Sequence, residues 1–330
     1  MRAAWYEKQG PASSVLKVGD LPTPTAGPGE VRVKVSFSGV NPSDTKRRVG
    51  FGGQTLGFPK VIPHSDGSGI IDQVGSGVSD TRIGERVWIY CGQWQRASGT
   101  AAEYISIRSD YAIPIPNEVE LLAGACLGIP AVTAHRALFT DGPIKGLTVL
   151  VTGGAGAVGN YAIQLAKWGK ASKVIATCSS IEKSRAAEKA GADLVINYKD
   201  ADVTAKIMDV TNGEGVDRIV EVAFGANLKI TLEILKDNGV ISAYASDMEH
   251  HPVLPFYPMM QKNCVLRWVY MYKIPDEACA QTHQEINDWL SSGPKHHLVS
   301  QVFPLEEIAA AHELQESGKA IGTVIVNPEL

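Results

Sequence analysis

The chain has 330 residues, 44% hydrophobic and 20% charged, and a net charge of -4. This length exceeds what one ordinary core holds, so we expect two domains of a globular protein. The absence of a basic excess disfavours a nucleic-acid partner. No stretch approaches the roughly 20 apolar residues of a membrane helix, so we expect no membrane partner. Five widely spaced cysteines indicate a reducing, cytoplasmic setting.

Short strand-like segments separated by Gly, Pro and Asp fill the chain up to about residue 125. Three of them are Glu30–Phe37, Gly69–Val74 and Arg86–Tyr90. Their spacing and turn residues predict a compact, mostly antiparallel β domain.

Beyond Pro130 apolar strands alternate with helical spacing. The predicted strands are Leu147–Thr152, Lys173–Cys178, Asp193–Asn197, Val216–Val222, Gly239–Ala245 and Val265–Tyr270. Strands of this kind suit a parallel sheet that helices cover on both faces. After Tyr272 we predict helices over 276–292 and 305–317 and a strand over 320–327, which fold back onto the first domain. The predicted domains are therefore 1–125 with 272–330, and 126–271.

A glycine-rich turn follows the strand Val149–Thr152 and opens a helix. It contains Gly154, Ala155, Gly156, Ala157, Val158 and Gly159. The G-x-G-x-x-G spacing between a strand and a helix is the dinucleotide-binding fingerprint. The free N–H groups and the positive dipole of the helix N-terminus attract a pyrophosphate. We therefore expect a Rossmann domain that binds a nicotinamide dinucleotide.

The end of the second strand indicates which dinucleotide binds. NAD-binding domains place an acid there, about 20 residues after the turn, to bond the ribose hydroxyls. This chain has Ser179 and Ser180 there and no carboxylate, with Lys183 one helical turn later. We interpret Glu182 as an acid of the first helical turn that the helix dipole favours. Hydroxyls and a cation suit a 2′-phosphate, so we predict NADPH. The serines also suit the N-cap of the helix over 181–190, and the two roles are compatible.

Several stretches together resemble the medium-chain dehydrogenase/reductase superfamily, and within it the zeta-crystallin-type quinone oxidoreductases. They are Pro63–Gly75, Gly84–Val87, Leu127–Ala134, the glycine turn, Gly39–Asp44, Gly215–Val222 and Phe303–His312. The resemblance covers residues 1 to about 328. It implies a GroES-like catalytic domain beside the Rossmann domain, and an NADPH:quinone reductase activity.

Zinc-dependent members of this superfamily bind a catalytic metal through Cys, His and Cys. The corresponding positions here are Asn41, Ser65 and one near Ile129. Amide, hydroxyl and isobutyl groups cannot replace thiolate and imidazole as zinc ligands. We therefore predict no metal. We interpret His64 and Asp66 as polar residues outside any metal site, and the pair at 296–297 as solvated.

The resemblance also implies roles for individual residues. Those implied near the reacting groups are Asn41, Lys46, where relatives often carry tyrosine, and Arg48. Those implied to contact the cofactor are Tyr198, Asn227, Ala243, Tyr244, Ala245, Ser246, Val269, Tyr270 and Met271. Each has a plainer alternative. Asn41 before a proline suits a turn, Tyr198 could pack on the sheet, Asn227 could cap a helix, and 269–271 could be strand core and subunit interface.

We therefore predict transfer of hydride from NADPH to a small quinone without a metal. Reduction of the C=C bond of an enal or enone is an alternative, and a non-catalytic NADPH-binding protein is another. The apolar strand Val265–Tyr270 would form a sheet edge, which must be paired to avoid aggregation. We expect a homodimer, with a tetramer as the alternative.

Overall fold

A computed structural model describes all residues from Met1 to Leu330. The strands are β1 Arg2–Trp5, β2 Lys17–Asp20, β3 Glu30–Val40, β4 Asp66–Val74, β5 Arg86–Ile89, β6 Tyr104–Arg108, β7 Ala112–Pro114, β8 Thr148–Val151, β9 Lys173–Cys178, β10 Leu194–Asn197, β11 Val216–Glu221, β12 Leu235–Ala243, β13 Val265–Trp268, β14 Val299–Pro304 and β15 Thr323–Asn327. The α-helices are α1 Ala12–Val15, α2 Pro42–Val49, α3 Leu121–Gly124, α4 Val132–Phe139, α5 Ala157–Trp168, α6 Ile181–Lys189, α7 Val203–Val210, α8 Phe224–Ile234, α9 Phe256–Gln261, α10 Asp276–Ser291 and α11 Ile308–Glu316. None of these helices combines the length and the apolar character that a membrane span requires.

The chain divides into two compact units. The first contains residues 1–129 and 299–330, and the second contains residues 130–298. The structure corrects the predicted assignment of residues 272–298 to the first domain. Helix α10 packs against α4 in the second unit, where His135 Nε2 lies 2.6 Å from Glu285 Oε2. The ring of Trp289 also packs edge-on against Tyr161 of α5. These contacts come from residues far apart in sequence.

The first unit is built on a seven-stranded sheet. Its strand order is β14-β15-β3-β4-β5-β7, with β6 also paired to β3, and all pairs except β14-β15 are antiparallel. The alternation of β3 explains its burial, since Val31, Val33 and Val35 are fully buried and the intervening Lys34 is exposed. The prediction of a mostly antiparallel β domain is confirmed.

The second unit contains a six-stranded parallel sheet in the order β10-β9-β8-β11-β12-β13. The predicted doubly wound sheet is confirmed, and β9 has the predicted bounds. The chain runs outward from β8 to β10 on one side and from β11 to β13 on the other. Because all strands are parallel, their carboxyl ends share one edge of the sheet. In such sheets, ligands bind at that edge where the strand order reverses, here between β8 and β11.

One strand begins well before its predicted start. Strand β12 begins at Leu235, where we predicted Gly239, and its first residue pairs with Val216. A register shift follows between Val216 and Arg218, and Asn238 takes a left-handed φ of 62°. Residues 236–238, with the polar sequence Lys-Asp-Asn, therefore form a bulge inside β12. Their polar composition predicts a turn before the strand.

Candidate active site

The glycine turn joins β8 to α5. Gly153 has a φ of 68°, and the N–H of Gly154 donates to the carbonyl of Thr177 at 3.0 Å. A Cβ at Gly159 would lie 2.2 Å from the carbonyl oxygen of Gly153, so only glycine fits there. At Gly156, the N-cap of α5, the nearest atom to an added Cβ would be 3.3 Å away. Twelve-residue α5 has no acid in its first turn, so its N-terminus suits a phosphate anion.

The end of β9 lies beside this turn and has no carboxylate. Ser180 is the N-cap of α6, and its side chain accepts the N–H of Lys183 at 3.2 Å. The capping role proposed for this residue is therefore present. Ser179 and Lys183 are half-buried. A hydroxyl and a cation at this strand end suit a 2′-phosphate in chemistry and position.

Tyr198 follows the next strand, β10, and 52% of it is exposed. Its N–H donates to the carbonyl of Cys178 at 3.0 Å. A side chain this exposed disfavours the alternative that the ring packs on the sheet.

The remaining predicted cofactor contacts lie at the carboxyl ends of β12 and β13. Ala243 ends β12 and accepts the N–H of Val269 at 2.9 Å. The loop of Tyr244, Ala245 and Ser246 is tied to the start of α8, where the N–H of Phe224 donates to the Ala245 carbonyl at 3.1 Å. The structure therefore brings residues of this loop together with the strand ends.

The two residues Tyr270 and Met271, which follow β13, differ in their exposure to solvent. Tyr270 is half exposed, and 3% of Met271 is exposed. Met271 therefore packs in the interior, as the alternative reading of 269–271 expected. The rings of Tyr270 and Tyr272 contact each other at a tilt of 59°, with centroids 5.4 Å apart.

Asn227 is the fourth residue of α8, whose N-cap is Ala223, so it does not cap the helix. Its Nδ2 donates at 3.0 Å to Glu221, the last residue of β11. Sequence reasoning missed Glu221, although it ends an apolar strand predicted to reach the ligand edge. An acidic residue at the end of an otherwise apolar strand could have identified Glu221 as a candidate site residue.

In the first unit, two of the three positions that match the zinc ligands of relatives, Asn41 and Ile129, both bond to Asp66, which directly follows the third, Ser65. Asn41 Nδ2 donates to Asp66 Oδ2 at 2.7 Å, and the N–H of Ile129 donates to Asp66 Oδ1 at 2.8 Å. Asn41 and Asp66 are at most 2% exposed. A Cβ at Gly128 would lie 2.3 Å from Asp66 Oδ1, which explains the glycine. Protein hydrogen bonds therefore fix the Asn41 amide.

A second buried carboxylate adjoins this cluster. Asp44 Oδ2 accepts the N–H of Asn41 at 2.8 Å at the start of α2, whereas Asp44 Oδ1 has no partner. Burial raises the pKa of Asp44 to about 6. Burial also raises the pKa of Asp66 well above its usual range, opposed by its hydrogen bonds to Ile129 and Asn41. The alternative that Asn41 starts a turn agrees with the structure, in which Asn41 is the N-cap of α2.

Arg48, predicted to lie near the reacting groups, is fully buried. Its guanidinium donates to the carbonyl of Gly10 and to Glu316, and its Nε lies 3.3 Å from His312 Nδ1. The contacts join α2 to α11 across more than 260 residues of sequence. All three guanidinium nitrogens bond to groups of the first unit, so Arg48 stabilises the packing of α2 against α11.

His312 continues this network to His64. Their Nε2 atoms lie 2.9 Å apart, and His64 Nδ1 lies 2.8 Å from Ser38 Oγ, which in turn lies 2.7 Å from Thr100 Oγ1. Because the arginine donates to His312 Nδ1, the neutral imidazoles must donate in sequence from His312 to His64 and on to Ser38. His64 has a left-handed φ of 76°, and burial lowers its pKa to about 3. Thus His64 is a buried structural residue.

The pair at 296–297 is not solvated as predicted. His297 Nδ1 lies 2.9 Å from the Tyr161 hydroxyl, and the carbonyl of His296 accepts from Asn160 and Gln164 at 2.9 and 2.8 Å. Burial lowers the pKa of His297 to about 4. These bonds attach the segment before β14 to α5.

Lys46 lies on α2 and is half-buried. Its Nζ lies 5.3 Å from the centroid of the Phe51 ring, in a cation–π contact. Phe51 is 40% exposed. The ammonium is thus held near the unit's surface, unlike Arg48.

Groups of three or more His, Cys, Asp or Glu side chains suited to a metal do not occur in the structure. At Asn41 and Ile129, two of the positions that match the zinc ligands of relatives, an amide and a backbone N–H are already bonded to the Asp66 carboxylate, and the third position is the hydroxyl of Ser65. Such a set provides neither thiolate nor imidazole for a tetrahedral metal.

Comparison with known proteins agrees with both halves of the fold. Residues 27–117 match the family described as alcohol dehydrogenase GroES-like domain, and residues 157–288 match the one described as zinc-binding dehydrogenase. The chain is 32% identical to a quinone oxidoreductase of Rattus norvegicus over 95% of this chain and 94% of that protein. It is 28% identical to a 2-haloacrylate reductase of a Burkholderia species, over 100% and 99% of the two chains.

Among solved structures, an Escherichia coli quinone oxidoreductase complexed with NADPH superimposes with a TM-score of 0.86. It is 25% identical, and the match covers 99% of this chain and 100% of the other. The sequence identity to the rat protein over nearly the whole chain, together with the GroES-like and Rossmann units, establishes the family. The chain is a member of the zeta-crystallin-like quinone oxidoreductases of the medium-chain dehydrogenase/reductase superfamily, and it is an oxidoreductase.

Proposed function

We propose that this protein is an NADPH-dependent quinone oxidoreductase that transfers hydride to a small quinone without a metal. The observation that carries the proposal is the glycine turn at the switch point of the parallel sheet, next to a β9 end without an acid. The E. coli relative complexed with NADPH has the same fold, and the rat relative is named for quinone reduction.

The second unit would bind the cofactor along the carboxyl edge of its sheet. The pyrophosphate would lie at the N-terminus of α5, over Gly154–Gly159. The adenosine and its 2′-phosphate would lie toward β9 and β10, at Ser179, Lys183 and Tyr198. The nicotinamide end would then lie toward β11 and β12, at Asn227 and the loop 243–246.

When bound, NADPH supplies the hydride, and the chain supplies position and a dry environment. The first unit would provide Asn41, fixed by Asp66, as an oriented amide near the acceptor. Lys46 would place a positive charge where negative charge develops on the quinone oxygen. The product quinol can take its proton from water, so no dedicated acid is required.

The cofactor assignment is tested by Lys183→Ala. Loss of a charge-assisted bond to the 2′-phosphate should weaken NADPH binding by about tenfold or more, and NADH binding should change little. Binding of both nucleotides is measured by titration of protein fluorescence. The matched control is Lys189→Ala, the exposed lysine at the other end of the same helix, which should leave both affinities unchanged. Equal weakening of NADPH and NADH by Lys183→Ala would refute the assignment.

A second candidate function is reduction of an activated C=C bond. The full-length similarity to the Burkholderia 2-haloacrylate reductase favours it, because the same hydride and the same fold serve both reactions. The ratio of kcat/KM for a small quinone to that for 2-haloacrylate and an alkenal separates the two. A higher value for the quinone supports the first proposal, and a higher value for the alkene replaces it.

We also propose that two copies pair through the β13 edge. Val265 is 40% exposed and Trp268 is 60% exposed on this strand, and neighbouring Phe256 and Tyr257 are 67% and 68% exposed. An open apolar edge of this kind is protected by pairing with a second copy. Light scattering should show a dimer, and Val265→Lys should shift it toward monomer. A monomeric wild type would refute the pairing.

A reducing compartment, the cytoplasm, is proposed from the cysteines. All five are thiols outside any disulfide, and four of them are buried. A protein that matures in an oxidising compartment would be expected to pair some of them. Thiol titration of protein freshly isolated from its native cells should give five reduced cysteines.

A further inference from the structure

Glu221 is a buried acid at the place where the strand order of the parallel sheet reverses. It ends β11, and Thr152 directly follows the adjacent strand β8. The side chain is 0% exposed. Four donors surround it. The Thr152 hydroxyl, the N–H of Ala223 and Asn227 Nδ2 donate to Oε1 at 2.9, 2.6 and 3.0 Å, and the Thr231 hydroxyl lies 3.4 Å from Oε2.

No cation accompanies this carboxylate. Neither Lys, Arg nor His forms an ion pair with Glu221, although burial of an unpaired charge is costly. Burial raises the pKa of Glu221, and its hydrogen bonds from Ala223, Thr152, Asn227 and Thr231 oppose that shift. The N–H of Ala223 and the amide of Asn227 can only donate, so these two bonds favour the ionised form. An ion that costs free energy in the folded protein and has no counterion suggests a positive charge supplied from outside the chain.

The sheet order indicates what that charge is. If the pyrophosphate lies over the turn after β8, the adenosine end extends toward β9 and β10, and the nicotinamide end extends past β11. Glu221 is thus on the nicotinamide side, linked to Asn227 and, through its carbonyl, to the N–H of Tyr244 at 3.1 Å. The oxidised nicotinamide ring carries one positive charge, and the reduced ring is neutral.

We infer that Glu221 supplies a fixed negative charge that stabilises oxidised NADP+ relative to NADPH at the nicotinamide end of the site. This inference rests on the proposed function. Loss of hydride, two electrons and one proton, from the reduced ring creates the ring cation, so the charge would favour transfer to the acceptor. Glu221 acts through the electrostatic field and through Asn227, and it is therefore a positioning residue.

Glu221→Gln removes the charge with almost no change of shape. With the glutamine oxygen in the place of Oε1, the three stronger donors keep their acceptor. The new NH2 group then faces the Thr231 hydroxyl, which can rotate to accept it. The matched control is Glu233→Gln on the same helix as Asn227, where an exposed carboxylate lies 3.2 Å from the Thr204 hydroxyl.

The test is the equilibrium Kd of NADP+ and of NADPH, each measured by calorimetry for the wild type and both variants. Glu221→Gln should weaken NADP+ at least about fivefold more than NADPH, and Glu233→Gln should leave the ratio unchanged. An equal change in both affinities, or none, would overturn the inference. A wild type that binds neither nucleotide would instead refute the proposed function.

Infrared spectroscopy of the wild type tests the charge of Glu221 without any substitution, and it applies even if Glu221→Gln does not fold. The difference spectrum between the NADP+ and NADPH complexes should contain an ionised carboxylate band that shifts with the charge of the ring. A spectrum without a shifted carboxylate band, or with a protonated carboxyl in both complexes, would contradict it.

Discussion

The buried carboxylate of Asp44 predicts a pH dependence of stability that one substitution should remove. Burial raises its pKa from an ordinary 3.8 to about 6. Between these values the folded protein binds a proton that the unfolded chain has released, so stability falls as the pH rises. The rise of the pKa from 3.8 to about 6 lowers the free energy of unfolding by on the order of 3 kcal/mol between acidic and neutral pH. Roughly 1 kcal/mol of it falls between about pH 5 and about pH 7.5.

Asp44→Asn should abolish this part of the pH dependence. The amide oxygen can still accept the N–H of Asn41, and the amide is uncharged at every pH. The variant should therefore gain roughly 1 kcal/mol on the wild type between about pH 5 and about pH 7.5. Urea unfolding followed by tryptophan fluorescence at several pH values measures the gain.

Asp110→Asn is the control. Asp110 is an exposed carboxylate paired with Arg108, and its variant should follow the pH dependence of the wild type. If Asp44→Asn and the wild type show parallel curves, the argument that burial destabilises the Asp44 carboxylate is wrong. If Asp44→Asn instead loses stability relative to the wild type as the pH rises, the carboxylate stabilises the folded protein at neutral pH.

Three further predictions concern glycine geometry and packing. Gly159→Ala should abolish NADPH binding in titrations, since its Cβ would lie 2.2 Å from the Gly153 carbonyl, whereas Gly156→Ala, with 3.3 Å, should retain much of it. Arg48→Met should destabilise the protein by about 3–5 kcal/mol in urea unfolding, because it strands buried polar groups. Trp289→Ala, at a residue 1% exposed, should cost about 3–5 kcal/mol by the same assay.

The cofactor half of the site could be predicted because its signals are local. The fingerprint lies within one strand–turn–helix unit, and the residues at the ends of successive parallel strands must share an edge. Hence Ser179, Tyr198 and the loop 243–246 lie along the same edge of the sheet, as the strand order requires. Whether each of them contacts NADPH stays a prediction.

The buried network of the first unit could not be predicted in this way. Arg48 meets His312, and His64 meets the same residue, across separations of 264 and 248 positions. No periodicity encodes a pairing at that distance. The left-handed φ of His64 and the full burial of both histidines likewise depend on the packing of α11, which joins the first unit after the whole second unit has intervened.

Single-turnover oxidation tests the account most directly. One equivalent of NADPH is bound to the purified protein, a small quinone is added, and the near-ultraviolet absorbance of the reduced nicotinamide is followed in a stopped-flow instrument. The account predicts rapid loss of that absorbance with one quinol formed per NADPH, unchanged by a metal chelator. Bound NADPH that persists with every quinone and activated alkene, or turnover that requires added zinc, would contradict it.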